Sequence, residues 1–166
     1  MRDADTTGSC LYDAGRGAVG GIMTIYVYTY SGIKSPTPQK GYIAYRLMAE
    51  KDCGIIKDTG VVVEETEGTW YEASLEAMIK ALGTLTDPIG CKWFIYTDSI
   101  HFEANWQQAF KWRENGWRKK DGTEYEYADK WDAILKILDE CTRPIVSRGD
   151  NYYSSELKAA VKRKAA

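Results

Sequence analysis

The feature that most constrains the fold is a short strand that ends in Thr97-Asp98-Ser99 and passes straight into a helix. Residues 92–97 are mostly aromatic and β-branched, which favours a strand. The helix that follows covers residues 99–115 and ends at a glycine. Asp98 therefore lies where the strand meets the helix. A segment rich in tryptophan and basic residues begins near the end of that helix, at residue 110.

Around this unit the pattern predicts an α/β domain. Alternating β-branched and aromatic residues indicate strands, and apolar residues at steps of three and four indicate helices. The order is three strands, a helix, a strand, two helices, a strand and a final helix. The predicted strands cover residues 25–30, 42–49, 54–64, 92–97 and 144–147, and the predicted helices cover residues 69–85, 99–115, 128–140 and 152–164.

The length of 166 residues fits one domain. Residues 1–22 are rich in glycine and show no sustained periodicity, so we expect a flexible leader before a domain over residues 23–166. No apolar run approaches the ~20 residues that span a bilayer, and no signal-peptide pattern occurs. The expected compartment is therefore the cytoplasm, with no membrane partner.

Charge and cysteine spacing limit the classes of function. The net charge of −2 argues against strong non-specific duplex binding, although a local basic patch can still act. The four cysteines are scattered singly, without a CxxC pair. We therefore expect reduced thiols rather than a zinc site or a disulfide framework.

The strand, the Thr97-Asp98-Ser99 turn, the helix and the basic tryptophan segment resemble the middle of type 1 ribonuclease H. The order of elements from residue 23 onward resembles the ribonuclease H-like fold. The resemblance implies a five-stranded mixed sheet flanked by helices on both faces. It also implies that relatives cleave the RNA strand of an RNA–DNA hybrid with several carboxylates and two bound cations.

Carried over by their local motifs, the family's four acidic positions retain one acid, Asp98. The first-strand acid follows an aromatic–Thr pair, which leads to Tyr30. The first-helix Glu lies five residues after a Thr, which leads to Ser74. The last-helix Asp precedes a Glu-Leu pair, which leads to Ser155. One carboxylate does not hold two divalent cations, so we expect no metal, no other cofactor and no hydrolysis.

Three other acids leave an alternative open. Glu72 and Glu76 flank Ser74, but two residues along a helix turn about 200° around its axis and point both acids elsewhere. Asp150 stands on a loop from which it can reach inward. The alternative is an active RNA–DNA hybrid ribonuclease with relocated acids that uses Mg²⁺ or Mn²⁺.

The basic tryptophan segment resembles the family's substrate-binding handle, in which aromatic rings pack on sugars or bases and cations meet phosphates. The opposite interpretation is a solvated helix end whose tryptophans pack in the core. Thr69 matches a position at which the family holds a DNA-strand phosphate. The candidate nucleic-acid-binding residues are Thr69, Lys111, Trp112, Arg113, Trp117, Arg118, Lys119 and Lys120.

The positions that read RNA in the family have changed. Tyr71 and Ile100 stand where the family has an Asn and a Gln, and neither offers an amide to a 2′-hydroxyl. The sequence thus predicts a catalytically inactive ribonuclease H-like domain that binds nucleic acid, either a duplex or an RNA–DNA hybrid. A protein-interaction domain with no nucleic-acid role is the remaining alternative.

Overall fold

The computed structural model describes residues 23–52, 54–85, 91–139 and 143–166, so the predicted leader lies outside the described residues. The strands are β1 (Met23–Ser31), β2 (Gln39–Lys51), β3 (Gly54–Asp58), β4 (Val62–Gly68), β5 (Cys91–Thr97) and β6 (Ile145–Arg148). The helices are α1 (Trp70–Leu82), α2 (Ile100–Glu114), α3 (Ala128–Leu138) and α4 (Ser154–Ala165).

The strands form one mixed sheet in the order β3-β2-β1-β5-β6, with β4 also paired to β2. Strand β1 runs antiparallel to β2 and parallel to β5, and β5 runs parallel to β6. The chain between β1 and β5 contains β2, β3, β4 and α1, and the chain between β5 and β6 contains α2 and α3, as parallel neighbours need a long crossover. The expected α/β architecture, a mixed sheet flanked by helices, is confirmed.

The sheet has six strands where we expected five, because the predicted strand over residues 54–64 is broken into β3 and β4. At the break, the amide of Leu47 donates to the hydroxyl of Thr59 at 3.0 Å. Gly60 follows with a φ of 67°, in the left-handed region that glycine adopts at little steric cost. Both halves pair with β2, so the break interrupts one edge of the sheet without changing its order.

Strand β1 separates two hydrophobic clusters, because successive side chains of a strand point to opposite faces. Ile25 and Val27 face the larger cluster, which contains residues of α1, α2 and α3. Tyr26, Tyr28 and Tyr30 face the smaller cluster with α4. The aromatic stripe continues into β5, where Tyr28 stacks on Tyr96 with ring centroids 4.8 Å apart.

Side-chain caps fix the starts of the two helices that flank the strand ends. The hydroxyl of Thr69 accepts the amide of Glu72 at 3.1 Å at the start of α1. The hydroxyl of Ser99 accepts the amide of Phe102 at 3.1 Å at the start of α2. Each cap satisfies an amide that has no partner within the helix. The two helices therefore begin at defined points beside the ends of β4 and β5.

The structure also bears on two expectations from composition, which concern the cysteine thiols and membrane-spanning helices. Cys91, the first residue of β5, is disulfide-bonded, so the expectation of a reduced thiol is wrong at this position. Within the described ranges, none of the helices is both long enough and apolar enough to cross a membrane.

Candidate functional site

Asp98 lies directly after β5, at the edge where the carboxyl ends of β1 and β5 meet. Both of its carboxylate oxygens lie 3.2 Å from the backbone amide of Ser31, the last residue of β1. The side chain of Asp98 is 20% exposed. The carboxylate is thus held against the sheet edge while part of it still meets solvent.

The sequence did not point to Lys34, which the structure places beside Asp98. It lies in the loop after β1, and its ammonium forms an ion pair with Asp98. The same nitrogen lies 4.4 Å from the ring centroid of Tyr30 and 4.9 Å from that of Trp70. Both distances are within the range of cation–π attraction. The centre therefore brings together the predicted Asp98 and Tyr30 around a cation from the chain itself.

The electrostatics of this centre follow from partial burial. Burial raises the pKa of Asp98 above its ordinary value, while the ammonium of Lys34 and the amide of Ser31 act in the opposite direction. Burial, followed by the nearby charge of Asp98, raises the pKa of the Tyr30 phenol. Tyr30 is therefore a neutral phenol at physiological pH and adds no negative charge to the centre.

The two predicted serines are placed differently from Tyr30. Ser74 is buried in α1, and its hydroxyl donates to the backbone carbonyl of Trp70 at 2.8 Å. Ser155 is exposed in the first turn of α4. In the portion of the chain that is described, no hydrogen bond joins either hydroxyl to Asp98. Neither serine supplies the charge that a metal ion requires.

Of the acids in the relocated-site alternative, Glu76 and Glu72 contact other groups, and Asp150 is exposed on the loop before α4. Glu76 forms an ion pair with Lys130 at 3.2 Å. The side chain of Glu72 lies so close over Gly68 that a Cβ there would be 2.3 Å from its Oε1. Across the described ranges, no group of three or more His, Cys, Asp or Glu side chains is placed to hold a metal ion. The described residues do not fit a two-metal centre.

An aromatic cluster lies between α1 and α2. The hydroxyl of Tyr71 accepts the indole N–H of Trp131 at 2.8 Å and the amide of Asn105 at 3.1 Å. The ring of His101 stacks on Tyr71 with centroids 5.1 Å apart and meets the edge of Trp70 at 5.6 Å. The hydroxyl of Tyr71 and the ring of His101 thus bond to and pack against other side chains of the domain.

The predicted basic tryptophan segment starts in the last turn of α2 and continues into the loop after it. The amide of Trp117 donates to the carbonyl of Trp112 at 2.8 Å and closes the helix. Trp112 stacks on Tyr125 with centroids 4.4 Å apart. Both tryptophans are partly buried against the larger cluster. Their rings are therefore packed against the protein, as the solvated-helix-end interpretation expected.

The basic side chains of this segment fall into two groups. Arg113 is paired with Asp139, and Arg118 donates to the carbonyl of Gly122 at 3.1 Å. Lys111, Lys119 and Lys120 are exposed. The three lysines form the part of the segment that is open to a polyanion, and we call them the lysine patch.

The chain is similar in sequence to a known ribonuclease. No protein-family model matches the chain. Ribonuclease HI of Haemophilus influenzae is 26% identical over 132 residues, which cover 78% of this chain and 64% of that protein. The chain thus matches less than two thirds of the length of this curated relative.

Two solved structures share the fold. LC9-RNase H1, a type 1 RNase H with the type 2 active-site motif, has a TM-score of 0.57 at 16% identity, covering 86% of this chain and 73% of that one. LC11-RNase H1 in complex with RNA/DNA hybrid has a TM-score of 0.52 at 17% identity, covering 86% of this chain and 99% of that one. At identities of 16% and 17%, these two structures share the fold with this chain and show nothing more specific.

Proposed function

We propose that the chain, which resembles ribonuclease HI in sequence and type 1 RNase H structures in fold, binds nucleic-acid duplexes without hydrolysing them. The observation that carries the proposal is the ion pair between Asp98 and Lys34. Asp98, the acid that matches the family's strand-end motif, already has a cation of the same chain as its partner. Two-metal hydrolysis needs several carboxylates around the ions, and among the described residues no group of three or more His, Cys, Asp or Glu side chains is placed to hold a metal ion.

The binding half of the proposal is supported by the lysine patch and by the relatives. A structural neighbour was solved in complex with an RNA/DNA hybrid. Exposed lysines attract the phosphates of a duplex and displace its condensed counterions, whatever the sequence of bases. Because the whole chain carries a net charge of −2, we expect binding that is weak and sensitive to salt.

Discrimination between a hybrid and a DNA duplex is expected to be small. RNA is distinguished by its 2′-hydroxyl, which a protein reads through hydrogen bonds. Ile100 offers an aliphatic side chain that is 47% exposed. The hydroxyl of Tyr71 already accepts two hydrogen bonds inside the protein. Neither residue replaces the amides expected at these positions.

The binding test measures fluorescence anisotropy of labelled DNA duplex and RNA–DNA hybrid across a range of salt concentrations. The double variant Lys119→Glu, Lys120→Glu should bind more weakly and show a flatter log–log salt dependence, by about 0.9 for each lost phosphate contact. Its matched control is Lys158→Glu, Lys162→Glu, which makes the same change in net charge at exposed positions of α4. Equal weakening by both variants would remove the lysine patch from the proposal.

The hydrolysis test incubates a labelled hybrid with the wild-type protein in Mg²⁺ or Mn²⁺, and we expect no cleavage above background. Cleavage that disappears in Asp98→Asn would replace the proposal with the relocated-acid ribonuclease. If the wild-type protein binds neither duplex nor hybrid even at low salt, the protein-interaction interpretation takes the place of the binding proposal.

A further inference from the structure

The ammonium of Lys34 is held at one point by side chains from three elements. It pairs with Asp98 after β5, and it lies over the rings of Tyr30 in β1 and Trp70 in α1. A free lysine side chain samples many rotamers, and contacts from several directions reduce that freedom. Folding of the domain therefore fixes the position of the Lys34 ammonium.

The backbone on both sides of Lys34 is also fixed. On one side, the hydroxyl of Ser31 accepts the amide of Ile33 at 3.0 Å, and the side chain of Ile33 is fully buried. On the other side, the carbonyl of Ser35 accepts the amide of Trp70 at 2.9 Å. The loop thus ties Lys34 to the end of β1 and to the first residue of α1.

A fixed ammonium changes which cation this centre accommodates. Mg²⁺ requires a near-octahedral set of oxygen ligands, whereas a single ammonium is sufficient to neutralise a single carboxylate. To reach Asp98, a divalent ion has to displace Lys34 and gains one carboxylate in return. Within the described ranges, no cluster of acids compensates for that displacement.

We propose that Lys34 is a tethered cation that takes the place of a divalent ion beside Asp98 and contacts a phosphate of the nucleic-acid backbone directly. The inference rests on the proposed function, since it names one contact made by the bound duplex. The ammonium has three N–H donors, and the ion pair with Asp98 leaves donors for a second oxygen. The Lys34 side chain is 44% exposed, so a phosphate can reach it.

The start of α1 adds to this positive potential. Trp70, whose ring lies beneath the ammonium, is the first residue of that helix. The amino end of a helix carries a partial positive charge that favours anions. Glu72 in the first turn offsets part of this charge, and its side chain lies over Gly68. The ammonium of Lys34 is therefore the group with a whole positive charge that a phosphate meets at this centre, and the helix end adds a partial charge.

The test compares duplex binding by wild type, Lys34→Gln and the double variant Lys34→Gln, Asp98→Asn. Both variants should flatten the log–log salt dependence by about 0.9, the loss of one phosphate contact. The double variant keeps the net charge of the wild type, so it separates the lost contact from repulsion by an unpaired Asp98. Lys92→Gln is the control, because this exposed lysine lies near the opposite end of β5. It should leave the slope unchanged.

A second measurement addresses the divalent ion. At matched ionic strength, wild-type binding should be no stronger in Mg²⁺ than in a chelator. A gain in affinity with Mg²⁺ that Asp98→Asn abolishes would overturn the inference. A salt dependence equal to that of wild type in both Lys34 variants would also overturn the inference. In that case duplex binding, and with it the proposed function, would still stand. A wild-type protein that binds no duplex defeats the proposed function and the inference together.

Discussion

Asp98 experiences two opposing effects at the end of β5. Burial disfavours its charged form, and Lys34 with the amide of Ser31 favours it. The net direction is a raised pKa, so the folded protein binds the proton more tightly than the unfolded chain does. The free energy of unfolding therefore falls as the pH rises from the ordinary aspartate range through the raised folded pKa, and then levels off.

This sign leads to a prediction for Asp98→Asn. The variant has no proton to lose, so its stability relative to wild type should increase over that pH window and stay constant above it. Denaturant unfolding at a series of acidic pH values measures the difference. Asp58→Asn is the control of opposite sign, because a hydrogen bond from Arg46 lowers the pKa of Asp58. Its stability relative to wild type should decrease as the pH rises through the window of Asp58. The same trend in both variants would contradict this account of Asp98.

Among the elements, the break between β3 and β4 depends on a single backbone conformation. Gly60 has a φ of 67°, and a Cβ added there meets no atom within 4 Å. The cost of Gly60→Ala is therefore conformational strain alone, and we expect the free energy of unfolding to fall by about 1 kcal/mol. Gly54→Ala is the control, because its Cβ also meets no atom and its φ is not positive. Equal effects of the two substitutions on chemical denaturation would show that the turn carries no strain.

Besides its apolar contacts, helix α4 is linked to the sheet by Arg46. Arg46 in β2 donates to both carboxylate oxygens of Asp58, at 3.1 and 2.8 Å, and to Glu156 at 3.2 Å. Its guanidinium lies 4.4 Å from the ring centroid of Tyr153. A lysine supplies the charge but neither the planar fork nor the stacking. The polar part of the contact between α4 and β2 therefore depends on the guanidinium group.

Arg46→Lys should consequently loosen α4 more than the rest of the domain. We expect a loss of about 1 kcal/mol in unfolding free energy, and faster hydrogen exchange in α4 than in β1. Arg148→Lys, which changes a single ion pair with Glu103 at 2.8 Å, should have a smaller effect. Unchanged exchange in α4 of the Arg46 variant would show that apolar contacts such as Leu157 hold the helix without the arginine.

For the molecule as a whole, local patterns were sufficient to predict the architecture. The alternation in β1 and the three-to-four spacing in α1 are properties of neighbouring residues, and they gave the element types and order. The break at Thr59 and Gly60 was missed, since residues on both sides continue to favour a strand. A glycine within such a run was the available signal.

The candidate centre was only partly predictable for a different reason. Asp98 and Tyr30 were found by resemblance, because each follows a short motif at the end of a strand. Lys34 contacts Asp98 across 64 positions of the sequence. That contact depends on how the loop after β1 folds back toward α1, which no periodicity encodes. Whether Ser74 and Ser155 mark lost catalytic positions stays a prediction.

The last prediction concerns how the whole domain responds to divalent ions. A ligand that binds only the folded state raises the free energy of unfolding by RT ln(1 + [L]/Kd). Because Asp98 is paired with Lys34 and the described residues offer no cluster of acids, millimolar Mg²⁺ should leave the Tm unchanged relative to NaCl at equal ionic strength. Differential scanning calorimetry of wild type and Asp98→Asn tests this expectation. A rise of several degrees that Asp98→Asn removes would show that a metal ion does displace Lys34. A rise that persists in Asp98→Asn would instead place a metal site elsewhere in the chain.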